Sequence, residues 1–191
     1  MNSKVMYGKE QIVNIHLKPT YRLTIVGLLV ALNILLNIFL RLPTPTGFIS
    51  LVEVGIFLAG WLFGPRIGGA VGGITGLLVD LFAGYPQWML GSLIIHGLEG
   101  YLIGVCWQTV GAKQRSTWFG LVLSAIIGGS VMLAGYWLFG IGLQLLNHAT
   151  LATALTISTA ELATNVLQVL AGFSIAIILR PVLIRYLKRL N

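Results

Sequence analysis

The stretch "YRLTIVGLLVALNILLNIFL", residues 21–40, carries no charge after Arg22. At 1.5 Å per residue it extends roughly 30 Å as a helix, the depth of a bilayer's hydrocarbon core. The rest of the chain is of the same kind. Of its 191 residues 57% are hydrophobic and only 9% charged, whereas a soluble domain carries about 25% charged residues. The expectation is therefore an all-α integral membrane protein. Residues 1–20 are mixed and polar, with Lys4, Lys9, Glu10 and Lys18. They lack the short apolar core and small-residue cleavage site of a signal peptide, so they are expected to stay in the mature chain as a cytoplasmic or interfacial segment. Cys106 is the one cysteine, so neither an internal disulfide nor a cysteine-based zinc site is available.

Six apolar segments separate on hydropathy and length: 21–40, 51–63, 67–82, 89–110, 118–140 and 151–179. The second and third are short and meet at "FGPRIGG", where Gly64-Pro65 interrupts the helix. The fifth is bracketed by Trp118-Phe119 and Tyr136-Trp137, roughly 28 Å apart as a helix and suited to two interfacial aromatic belts. Six spans with a cytoplasmic N-terminus return the C-terminus to the cytoplasm, where 180–191 form a basic tail. Lys4, Lys9, Lys18, Arg22, Arg66, Lys113, Arg115, Arg180, Arg185, Lys188 and Arg189 then lie inside and only Arg41 outside, as the positive-inside rule requires. The net charge of +7 is thereby accounted for by an anionic leaflet, without nucleic acid. No linker divides the chain, so one transmembrane domain covers 21–179.

Four of the five acids, Glu53, Asp80, Glu99 and Glu161, fall inside these segments. Each costs about 2.5–3.5 kcal/mol at mid-membrane, so each needs a partner, a wet cavity or a ligand. In the fourth segment, "IIHGLEG" puts His96 and Glu99 on one face with Ser92 and Ile103. In the sixth, Ser158, Glu161, Asn165, Gln168 and Gly172 form a polar row, and Asn33 and Asn37 make a shorter one in the first. Three polar stripes suggest a shared interior pocket. For Asn33, Asn37 and Gln168, interhelical hydrogen bonding is an equal alternative. His96 can serve the pocket or simply pair with Glu99. Glycines 68, 72 and 76 recur every four residues with Asp80 continuing the row, a stripe that lets a neighbouring helix approach closely.

The outward loops "RLPTPTGFIS" and "AGYPQWM" combine proline with aromatics. Phe48, Tyr85 and Trp88 could stack on a planar ligand as a lid, although interfacial anchoring suits Trp88 better. Gln144, Asn147 and His148 close the same side. No catalytic constellation is evident: His96 and Glu99 make H-x-x-E rather than H-E-x-x-H, and "GGSV" at Ser130 is not a nucleophile elbow. Neither a metal-ligand set nor a nucleotide loop is present in the pattern, so the chain is not expected to be an enzyme or to hold a cofactor.

The segments "LRLPTPTGFISLVEVGIFLAGWLFGP", "GGAVGGITGLLVDLFAGY" and "LIIHGLEGYLIG", in this order and spacing, resemble the substrate-binding S components of energy-coupling factor (ECF) vitamin transporters, nearest the riboflavin and hydroxymethylpyrimidine branch. Two positions depart from that branch and bear on the substrate: Val52-Glu53 stands where it usually has Gly-Asp, and His96 where it has Lys. The resemblance implies a protein of the bacterial plasma membrane that captures a B-vitamin or precursor from outside. Hydroxymethylpyrimidine or pyridoxine comes first among the candidates, then riboflavin. It also implies a membrane coupling subunit (T component) and two cytoplasmic ATPases that use ATP on its behalf. The family's small-x-x-x-small docking motif falls on Gly27 and Ala31, roughly 140° around the helix from Asn33 and Asn37; ordinary helix packing is the alternative use of that pair. The ligand site is expected in helices four to six under the first and third outward loops, with His96, Glu99, Glu161 and Asn165 supplying polar contacts. A stand-alone proton-coupled carrier and a ligand-free assembly subunit are the alternative functions.

Overall fold

The computed structural model describes residues 19–44, 47–111 and 117–189, and the side chains of Pro19, Gly47, Lys188 and Arg189 are left aside. The N-terminal segment 1–18 with Lys4, Lys9 and Lys18, together with Lys113 and Arg115, lies outside the described residues. Six α-helices appear among the described residues: α1 Pro19–Leu40, α2 Val52–Phe63, α3 Pro65–Ala83, α4 Met89–Cys106, α5 Thr117–Leu146 and α6 Leu151–Arg189. A π-helical turn, Trp107–Gly111, extends α4.

Five of the helices are long and apolar enough to cross a membrane. The exception is α2. Its 12 residues extend about 18 Å, short of a roughly 30 Å hydrocarbon core. Residues from Val52 through Leu62 are all buried, so α2 is apolar on every side because protein, not lipid, surrounds it. Phe57 stacks on Trp61 at 5.1 Å, and Phe173 of α6 meets both rings edge-on at 5.8 and 5.9 Å. The Trp61 indole donates to Ser124 Oγ of α5 at 2.8 Å, which satisfies its one polar atom within the core.

The break between α2 and α3 has a local cause. Gly64 adopts φ 84° and ψ −174°, a region open essentially to glycine, and Pro65 starts α3 where its missing N–H costs nothing. The helix α3 ends at Gly84 in the left-handed conformation, whose N–H reaches the Asp80 and Leu81 carbonyls.

The glycine stripe of α3 sets the register of α4. A Cβ on Gly68 would strike the Gly100 carbonyl, one on Gly72 the His96 carbonyl, and one on Gly76 the Ser92 carbonyl. The two antiparallel helices thus touch backbone to backbone every fourth residue. This contact fixes where Ser92, His96 and Glu99 stand.

Several elements differ from the sequence expectation. The segment "RLPTPTGFIS", expected as a loop, holds a small antiparallel hairpin, β1 Leu42–Thr44 with β2 Gly47–Ile49, Leu42 opposite Ile49; Pro45 is outside the described residues. The helix α5 continues to Leu146 and so absorbs Gln144. The segment 180–191 continues α6 as helix through Arg189 with Pro181 inside it. Arg180 there is buried and stacks over Trp107, 4.7 Å from the ring centroid.

Candidate functional site

A cavity of about 100 Å3 opens at one end of the bundle. Thr44 and Phe48 of the hairpin close it from one side, and Tyr85 and Trp88 from the α3–α4 turn. Phe48 and Tyr85 meet at 5.8 Å between ring centroids. Trp88 packs against Tyr136 at 5.7 Å and Phe139 at 5.5 Å, so α5 holds it against the cavity wall. The α6 wall contributes Glu161, Thr164, Asn165 and Gln168, and the inner end Asp80, His96, Met132 and Tyr136. The cavity therefore lies under the hairpin and the α3–α4 turn, no described residue of the α5–α6 turn lines it, and α2 and α3 contribute as well as α4 to α6.

Behind the cavity a network binds four helices together. His96 Nδ1 lies 2.8 Å from Glu99 Oε2, and His96 Nε2 lies 2.9 Å from the Tyr136 hydroxyl, which is 2.7 Å from Ser92 Oγ. With the ring proton on Nδ1 donated to Glu99, Nε2 accepts from Tyr136, and Tyr136 accepts from Ser92, one unbroken directional chain. Glu53 enters from α2, with Oε1 3.6 Å from His96 Nδ1. Its Oε1 also accepts from Gln168 Nε2 at 3.1 Å, while Gln168 Oε1 accepts the Ser50 N–H at 2.9 Å. One glutamine side chain thus ties the hairpin exit, α2 and α6 together.

Glu53, His96 and Glu99 bring three donor atoms within 4.8 Å of one another. That convergence was not foreseen from the spacing of His and carboxylates along the chain. These donor types suit a divalent cation, but both imidazole nitrogens are already engaged at hydrogen-bond distance. Ligation would require giving up the His96–Glu99 bond.

The sequence candidates divide into three groups. His96, Glu161, Asn165, Phe48, Tyr85 and Trp88 line the cavity. Glu99 and Ser92 are buried directly behind it and act through His96 and Tyr136. Asn33 and Asn37 are buried elsewhere: Asn33 donates to Thr75 Oγ1 at 3.3 Å and lies against Gly55, in the packing of α1 on α2 and α3. On the same helix Gly27 and Ala31 are exposed, and nothing stands within 4 Å of a Cβ built on Gly27.

Three residues of the site were not singled out for it by sequence. Tyr136 reads as half of an aromatic belt pair, yet its hydroxyl is at the centre of the network, and nothing in its spacing signals that. Glu53 carries a signal only as a costly intramembrane acid. Asp80 continues the glycine stripe at four residues, which places it on the α4-facing side.

Residues 18–185 match the family described as "ECF-type riboflavin transporter, S component". The thiamine precursor transporter HmpT of Lactococcus lactis subsp. cremoris is 33% identical over 171 residues, covering 88% of this chain and 90% of that protein. An uncharacterized protein of Pyrococcus woesei is 37% identical over 102 residues, 52% of this chain and 65% of that one. The solved S component of a bacterial ECF transporter superposes with a TM-score of 0.65 at 21% identity, covering 90% of this chain and 99% of that one.

Proposed function

This chain belongs to the S components of ECF-type transporters, and on that premise we propose that its cavity captures hydroxymethylpyrimidine or a close single-ring relative. It is a multi-pass protein of the cell membrane and the substrate-binding subunit of its transporter, not an enzyme. The carrier and scaffold alternatives give way to that membership.

The observation that carries the choice of ligand is the size and lining of the cavity. About 100 Å3 lies below the roughly 300–1,000 Å3 usual for drug-sized ligands, which favours one substituted ring over a three-ring flavin. Phe48, Tyr85 and Trp88 supply flat faces for that ring, and Glu161, Asn165 and Asp80 supply edges for its polar substituents. Resemblance to the thiamine precursor transporter supports the same reading.

Delivery is proposed to follow the family pattern. The cavity end faces outward and both termini face the cytoplasm, with α2 counted as a sixth crossing inside the bundle. Two observations support that arrangement. The α2–α3 turn packs on the end of α4 away from the cavity, Gly104 meeting Pro65, so α2 leads inward from the cavity end toward the opposite one. Arg66 at the start of α3 and Arg185 late in α6 lie away from the cavity-lining parts of those helices, in keeping with the positive-inside rule. Gly27 and Ala31 are the proposed contact for the T component, because a bare, exposed small pair invites close helix approach. ATP hydrolysis would be the work of two partner ATPases, and no cofactor is proposed for this chain.

Calorimetry on the detergent-solubilised protein against riboflavin, pyridoxine, thiamine and hydroxymethylpyrimidine tests the ligand. The expected result is tightest binding of hydroxymethylpyrimidine. Riboflavin as the tightest ligand, or binding of none of the four by folded protein, would overturn the proposal.

A further inference from the structure

The polar groups at the inner end of the cavity are almost all consumed by one another. His96 has both ring nitrogens engaged, the Tyr136 hydroxyl has two partners, and Gln168 spends both ends of its amide on Ser50 and Glu53. None of these offers a ligand a free hydrogen-bonding atom without breaking the network. Asp80 is different. It lines the cavity, is 8% exposed, and its Oδ2 has no hydrogen-bond partner among the described residues. A carboxyl oxygen on the cavity wall with no protein donor is a ready acceptor for a donor carried by whatever enters.

The charge of the lining points the same way. Asp80 and Glu161 line the cavity, with Glu53 and Glu99 close behind, and no described lysine or arginine lines it. Arg41 stands 5.7 Å over the Phe48 ring and is not part of the wall. Anionic groups such as phosphate are held by arginine forks, lysines or helix N-termini. Here a phosphate would sit beside the Asp80 and Glu161 carboxyls with no described lysine or arginine in the wall to neutralise it.

We propose that Asp80 is the specificity-determining residue of this site: its Oδ2 accepts a hydrogen bond from a ring-borne amine, and the acid-lined wall excludes phosphorylated forms of the same ring. The inference rests on the single-ring reading of the cavity and narrows it to unphosphorylated, amine-bearing heteroaromatics. Of the two leading candidates, it selects the aminopyrimidine over pyridoxine, which lacks the amine. Glu53 Oε2 and Glu99 Oε1 are, like Asp80 Oδ2, without a partner among the described residues, but neither residue lines the cavity.

The test is calorimetry with three probes: hydroxymethylpyrimidine, its phosphate ester, and an analogue with hydrogen in place of the exocyclic amine. The wild-type chain should bind the analogue at least about 10-fold more weakly than the parent, the scale of one charge-assisted hydrogen bond at about 1.4 kcal/mol per tenfold. The ester should bind at least about 100-fold more weakly, twice that free energy. Asp80→Asn should lower the amine preference to under about threefold while leaving the analogue's affinity unchanged, which also demonstrates that the variant is folded. An amine preference that survives Asp80→Asn, or an ester that binds within about 10-fold of the parent, overturns the inference while leaving the proposed function standing. If Asp80→Asn does not fold, the three probes on wild-type protein still decide, since equal affinity for parent and analogue refutes it. Failure of wild-type protein to bind any of the three overturns the proposed function itself, and this inference with it.

Discussion

Replacing Tyr136 by Phe removes one oxygen atom and little else. The phenyl ring keeps its packing on Trp88 at 5.7 Å and on His96 at 5.4 Å, so the measured effect belongs to the hydroxyl. That hydroxyl makes two bonds, 2.7 Å to Ser92 Oγ and 2.9 Å to His96 Nε2. Interhelical hydrogen bonds in membrane proteins average about 0.6 kcal/mol and reach about 1.7, so losing both should cost roughly 1.2–3.4 kcal/mol. The two orphaned partners differ. His96 lines the cavity and can take a water there, whereas Ser92, 1% exposed and outside the lining, has only the neighbouring Asp80 carboxyl to turn to. A double-mutant cycle of Tyr136→Phe with Ser92→Ala, read by equilibrium unfolding in detergent, should be non-additive by about 0.6 kcal/mol or more. Additivity within about 0.3 kcal/mol, or a Tyr136→Phe variant as stable as wild type, would refute the network as the element joining α4 to α5.

Gly72→Ala drives a methyl into the His96 carbonyl and should destabilise the bundle by about 1–3 kcal/mol through overpacking, seen as a lower thermal midpoint together with weaker ligand binding. Gly27→Leu, with open space around it, should leave the isolated chain as stable as wild type but reduce co-purification with the T component; unchanged assembly would remove Gly27 from that contact. Gln168→Ala strips partners from the Ser50 N–H and Glu53 Oε1 at once. It should cost roughly 1–3 kcal/mol and speed hydrogen exchange at the Ser50 amide. Trp61→Phe keeps a ring against Phe57 and Phe173 but removes the indole N–H that donates to Ser124 Oγ, for a loss of about 1 kcal/mol in unfolding experiments.

The solvent of this protein was legible residue by residue. Long uncharged runs such as 21–40 and 118–140 announce helices that satisfy their own backbone in lipid, and Gly64-Pro65 marks the break between α2 and α3 because both residues act locally. The faces within one helix were legible too: Ser92, His96 and Glu99 do lie together, buried, on α4, since a period of 3.6 is a property of the chain alone. The same period misdirected Asn33 and Asn37 toward the cavity. It gives their face correctly but not the neighbour that the face meets, which for Asn33 is Gly55 and Thr75.

What the amino-acid order determined by itself, then, is a bundle of apolar helices carrying polar stripes at a cost that demands partners. Which stripes meet was decided only in three dimensions, by the backbone contact of Gly68, Gly72 and Gly76 with α4 and by the interior course of α2. Those contacts bring Glu53 to His96, Gln168 to Ser50, and Tyr136 to Ser92 across long stretches of chain. Asp80 Oδ2 is left without a partner by the same packing, for whether a buried oxygen is satisfied depends on every helix around it and on no single one.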